Sequence, residues 1–106
     1  MVSGNQITYP EEILEFIVKR IPTELTKVFV EIWNNRNNGG ITWTSLVKNI
    51  GDRYLVEKAL LLFETNGFVI VESSTVDRRQ KNYQPHEVRG LQLAKYLQQQ
   101  VRTNSN

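Results

Sequence analysis

A chain of 106 residues with 40% hydrophobic and 23% charged residues has the composition of one globular domain, not of a disordered chain. The absence of cysteine excludes disulfides and thiolate metal sites and fits a reducing, cytoplasmic or nucleoid-associated setting. The net charge is only +2, but residues 1–72 carry −2 and residues 73–106 carry +4, so a polyanion is drawn first to the C-terminal third.

Residues 1–8 are polar and unpatterned and are expected to form a frayed N-terminus. They lack the basic and apolar regions of a signal peptide, and no apolar run approaches the ~20 residues of a membrane span. Tyr9-Pro10-Glu11-Glu12 opens a first helix, since proline and carboxylates both suit the first turn. Ile13, Leu14, Phe16, Ile17 and Val18 make that helix apolar on more than one side, and Pro22 predicts a break near Ile21. Leu25, Val28, Phe29, Ile32 and Trp33 then fall on one face of an amphipathic helix. The run Asn34 to Gly40 ends it, because Asn and Gly tolerate the left-handed conformations of a C-cap and turn.

Ile41-Thr42-Trp43 is short and β-prone. Thr42 caps a helix from about Trp43 to Asn49, with Leu46, Val47 and Ile50 expected to be buried, and Gly51 breaks it. Asp52 caps another from about Arg53 to Asn66, buried through Val56, Ala59, Leu60 and Phe63. Leu61 and Leu62 are surplus to that single stripe. Phe68 to Glu72 reads as a strand, Ser73 to Gln80 as a polar connector, and Lys81 to Gln84 as a second strand, giving a two-stranded hairpin. Pro85-His86-Glu87 opens a last helix with Val88, Leu91, Leu93, Ala94, Leu97 and Val101 as its apolar positions, and residues 102–106 form a polar tail. The reading is a mainly α, α+β fold: a helix-turn-helix followed at once by a hairpin, the winged-helix order, with extra helices at both ends. Residues 9–101 form the one domain.

A helix laid in the major groove needs donors in its N-terminal half that reach base edges and phosphates. Arg53, Tyr54 and Lys58 are such donors, and Glu57 can accept from a cytosine amino group. Asp77-Arg78-Arg79-Gln80-Lys81 at the hairpin tip places three cations where a loop reaches phosphates or the minor groove. Thr44 and Lys48 on the preceding helix complete the candidate DNA-contacting set with Arg78, Arg79 and Lys81.

Residues 25–97 resemble the winged-helix domains of multiple-antibiotic-resistance (MarR-type) regulators and related small archaeal and bacterial repressors. The matching pieces are Ile41-Thr42 before Leu46-Val47, Leu60 to Gly67-Phe68-Val69, Asp77-Arg78-Arg79, and Tyr83 before an amphipathic C-terminal helix. The resemblance implies a homodimer held by terminal helices and DNA-reading roles for Arg53, Tyr54, Lys58, Arg78 and Arg79. Gly51-Asp52-Arg53-Tyr54 departs from the family's usual Ser/Thr-rich helix start.

Catalysis has little support. His86 is the only histidine, no glycine-rich phosphate loop is present, and adjacent Glu11 and Glu12 diverge by about 100° on a helix. No metal-ligand spacing occurs, and no cofactor is expected. Both terminal segments exceed the apolar surface that a small three-helix core can cover, so Ile13, Phe16, Ile17, Leu93, Leu97 and Val101 are assigned to a dimer interface. The sequence therefore reads as a non-enzymatic, homodimeric binder of double-stranded DNA that regulates transcription, most simply as a repressor. The alternative is a winged helix used as a protein-interaction or DNA-binding adaptor in a replication, plasmid-partition or transcription complex. A continuous positive face over the helix at 53–66 and the hairpin tip favours the first; dominance of that face by Asp52, Glu57 and Glu64 favours the second.

Overall fold

The structure, a computed structural model, describes residues 8–73 and 81–104. Its helices are α1 (Glu11–Lys19), α2 (Thr23–Asn34), α3 (Trp43–Ile50), α4 (Arg53–Thr65) and α5 (Arg89–Asn104). Its strands are β1 (Ile41–Thr42), β2 (Val69–Ser73) and β3 (Lys81–Pro85). A single 3-10 turn, Arg36–Asn38, lies between α2 and β1.

The helix starts are chemically explicit. Thr42 Oγ1 accepts from the Ser45 N–H at 3.2 Å, and Asp52 Oδ1 accepts from the Leu55 N–H at 3.1 Å, each satisfying a donor that a helix N-terminus leaves without a partner. Between them Gly51 takes a left-handed φ of +82°, which lets α4 begin two residues after α3 ends. A break between α1 and α2 falls where expected, and Ile21 turns into the core there.

That core is shared by the helices and the sheet. Leu25, Val28, Phe29 and Ile32 of α2 meet Val56, Ala59, Leu60 and Phe63 of α4, and the Phe29 and Phe63 rings lie 5.5 Å apart, tilted at 50°. Leu46 enters from α3, and Phe68 and Val69 from the start of the hairpin. All four buried positions expected of α4 are buried, whereas Val47 and Ile50 of α3 are only half-buried. Leu62, surplus by sequence, packs half-buried against the core, and Leu61 does not.

The short β-prone segment at Ile41-Thr42 is a strand, as expected, and it joins the expected hairpin in one three-stranded sheet of order β1-β3-β2. β1 pairs antiparallel with β3, setting Ile41 opposite Tyr83 and Thr42 opposite Asn82. β2 pairs with β3 along its whole length, from Val69 opposite Pro85 to Ser73 opposite Lys81. The base of the hairpin is thereby sewn to the segment between α2 and α3. The Asn82 side-chain amide also donates to the Gly39 carbonyl, and that of Gln84 does so at 3.3 Å.

The last helix begins later than its sequence suggested. Pro85 ends β3 and α5 starts at Arg89, because His86 acts as a cap instead of entering the helix. His86 Nδ1 accepts from the N–H groups of both Val88 and Arg89 at 3.1 Å. The helix then continues to Asn104, through part of what read as a tail. At the other end of the chain Tyr9 is a latch. Its N–H donates to Gln92 Oε1 at 2.9 Å, Gln92 Nε2 donates back to its carbonyl at 2.6 Å, and its hydroxyl donates to the Asn66 carbonyl at 2.7 Å. The Arg89 guanidinium lies 4.5 Å from the Tyr9 ring centroid. Tyr9, just before α1, is thus tied to α5 and to the end of α4.

Candidate nucleic-acid interface

The α3–Gly51–α4 unit carries the candidate contacts. On α4 the buried face faces α2, so the opposite side is open to solvent. Tyr54 is 78% exposed, Lys58 is exposed, and Arg53 and Glu57 lie on one flank. On α3, Thr44 and Lys48 are exposed. Lys81 is exposed at the start of β3, opposite Ser73 in register. Arg78 and Arg79 lie outside the described residues, as does Asp77; they belong to the connection between β2 and β3.

Arg53, read as a donor to DNA, has partners within the protein. Its Nε lies 3.2 Å from Glu57 Oε1, and its guanidinium carbon lies 5.3 Å from the ring centroid of Trp43, within reach of a cation–π contact. Arg53 therefore bridges the starts of α3 and α4. An exposed i,i+4 pair of this kind is worth only about 0.3–0.5 kcal/mol, so a phosphate can displace the carboxylate. The i,i+4 spacing of Arg53 and Glu57 was visible in the sequence; the stack on Trp43 was not.

The acidic residues do not dominate this face. Asp52 Oδ1 is engaged with the start of α4, and Glu57 is paired with Arg53. Glu64 lies close enough to Tyr83, on the sheet, for its charge to help raise the phenol's pKa. Lys48 and Lys58 form no ion pair among the described residues. Around the solvent-facing start of α4, Lys58 thus stands beside the Arg53–Glu57 pair.

The residues assigned to a dimer interface separate into two groups. Ile13 and Phe16 are exposed on α1, with the Arg20 guanidinium carbon 3.5 Å from the Phe16 ring centroid; Ile17 is half-buried. Leu93, by contrast, is 1% exposed and belongs to the chain's own core. The amphipathic pattern of α5 buries it against this chain, leaving it nothing to offer a second one. Leu97 is half-buried and, with Val30, Trp33 and Ala94, lines an open groove of about 460 Å³ between α2 and α5. The side chain of Val101 lies outside the described residues. Val30 and Leu91, which were not assigned to the interface, are also exposed.

Among the described residues no group of His, Asp or Glu could hold a metal ion, and no helix is long and apolar enough to cross a membrane.

The order α2-β1-α3-α4-β2-β3-α5, with β1 joined to the hairpin, is that of a winged helix-turn-helix with helices added at both ends. The fold is MarR-like: it is similar to the solved structure of a point mutant of MepR from S. aureus bound to an oligodeoxyribonucleotide, with a TM-score of 0.62 at 13% identity, over 91% of this chain and 75% of that one. No model of a protein family matches the chain, and no curated relative matches it.

Proposed function

We propose that this protein binds double-stranded DNA as a homodimer and regulates transcription, as a repressor, without catalytic activity of its own. In this reading α4 enters the major groove, α3 crosses the backbone with Thr44 and Lys48 against phosphates, and the β2–β3 connection carries Arg78 and Arg79 to the minor groove or its phosphates. Lys81 adds a cation at the base of that connection. The observation that carries the proposal is the start of α4: a capped, solvent-facing first two turns bearing Arg53, Tyr54, Glu57 and Lys58, in a fold whose solved neighbour is held on an oligodeoxyribonucleotide.

Dimerisation rests on the apolar surface left at the two ends of the chain. Ile13 and Phe16 on α1, and Val30, Leu91 and Leu97 around α2 and α5, remain for a second copy once Leu93 is assigned to the core. A two-fold dimer would present its α4 helices to successive major grooves roughly 34 Å apart.

The adaptor reading draws support from one observation, the ion pair between Arg53 and Glu57, which lowers the positive charge of the α4 face. Selection on random duplexes separates the two. A dimeric regulator enriches a two-fold symmetric consensus whose half-site centres lie about 10–10.5 base pairs, or a multiple, apart. Absence of any enriched sequence would leave only the adaptor reading standing.

A further inference from the structure

The solvent-facing stripe of α4 is apolar at both ends. Tyr54 is 78% exposed and Leu61 is 70% exposed. They lie seven residues apart, and Lys58 stands between them, at i+4 from Tyr54. Successive residues turn by about 100°, so these three share the side opposite Val56, Ala59, Leu60 and Phe63. The fold gives Leu61 no packing role: Leu62, one residue on, is the side chain that reaches the core. The Tyr54 hydroxyl makes no hydrogen bond among the described residues. Arg53, the residue best suited by chemistry to a bidentate base contact, is instead turned along the flank to Glu57 and Trp43.

Seven helical residues rise about 10.5 Å, close to three base-pair steps of about 3.4 Å each. Along the major-groove edges of the bases the apolar group is the thymine 5-methyl. Leucine can read nothing else there, and a tyrosine ring presents an apolar face to the same group. The exposed cation Lys58 lies within the stripe, which therefore suits a polyanion and not an apolar protein surface.

We propose that Leu61 and Tyr54 are specificity-determining residues that contact thymine 5-methyl groups about three base pairs apart in each half-site, and that Arg53 is a positioning residue holding backbone phosphate. The proposal rests on the duplex-binding reading above. Its test removes only the methyl. In the duplex that wild-type protein selects, each consensus thymidine is replaced in turn by deoxyuridine. Affinity is then measured by fluorescence anisotropy for wild type, Leu61→Ala and Tyr54→Ala, with circular dichroism confirming that the variants fold.

Burial of one methyl is worth about 0.8 kcal/mol, or about fourfold in affinity. Wild type should lose about fourfold at two positions roughly three base pairs apart. Leu61→Ala should become insensitive at one of them and Tyr54→Ala at the other. Unchanged wild-type affinity at every substituted position, or sensitivity at both positions that persists in either variant, overturns the assignment while leaving duplex binding intact. The same holds if Leu61→Ala binds the selected duplex as tightly as wild type, the result expected if this stripe docks a protein. Failure of wild type to select any duplex removes the regulator reading, and this inference with it.

Discussion

Gly40 and Gly51 both adopt left-handed backbone, at φ +97° and +82°, yet they carry different constraints. A Cβ at Gly51 would meet nothing within 4 Å, whereas one at Gly40 would lie 2.8 Å from the Tyr83 carbonyl and 2.6 Å from the Asn82 amide nitrogen. Gly51→Ala should therefore cost only the left-handed penalty, about 1–2 kcal/mol. Gly40→Ala should cost more, because β1 must move away from β3. Urea denaturation of the two variants checks this, and equal losses would show that the β1–β3 contact is soft. At this scale much was legible. Thr42 and Asp52 declare themselves as caps because capping chemistry is local, complete within three residues. Tyr9 did not, because its partners Asn66 and Gln92 are 57 and 83 residues away. His86 read as part of a helix start; that its ring supplies the cap depends on a side-chain rotamer which no spacing encodes.

At the scale of elements, Tyr83 is where β1, β2 and β3 meet, opposite Ile41 on one side and Val71 on the other. Its phenol is buried, and burial first, then the nearby charge of Glu64, raise its pKa above the ordinary 10.0. The folded state thus holds this proton more tightly than the unfolded chain. The corresponding stability is complete below about pH 10 and is lost as pH rises through the raised value. In urea titrations, the wild-type midpoint should fall more steeply above about pH 10 than that of Tyr83→Phe, which has no proton to lose. Parallel curves would contradict the burial of this ring in the folded sheet. The hairpin itself was legible from its β-branched run and polar connector. The segment Ile41-Thr42 also read as β-prone, but its pairing with the hairpin was not legible: two residues carry no periodicity that names β3 as their partner. Leu93 illustrates the converse. An apolar stripe on α5 has the same pattern whether it faces its own core or a second chain, and only the packing of α2 and α5 decides.

For the molecule as a whole, the winged-helix order was legible because the boundaries that separate α1, α2, α3, α4 and the hairpin carry their own punctuation: Pro22, Gly39-Gly40, Gly51-Asp52 and Asn66-Gly67. The candidate site is read on α4 and the hairpin tip; the structure describes the α4 part of it, and Arg78 and Arg79 lie outside the described residues. Arg53 is engaged, and the outward stripe belongs to Tyr54, Lys58 and Leu61. The asymmetry of charge gives the central claim a quantitative form, since each phosphate contact releases condensed counterions and steepens the fall of affinity with salt. The most direct test is the affinity of wild type and of Arg78→Ala/Arg79→Ala for the selected duplex, measured across a series of salt concentrations. The account predicts tight binding at low salt, a linear fall of log K with log salt, and a slope shallower by roughly 0.9 for each phosphate contact that the double variant loses. Wild-type protein that fails to bind duplex DNA even at low salt would contradict it.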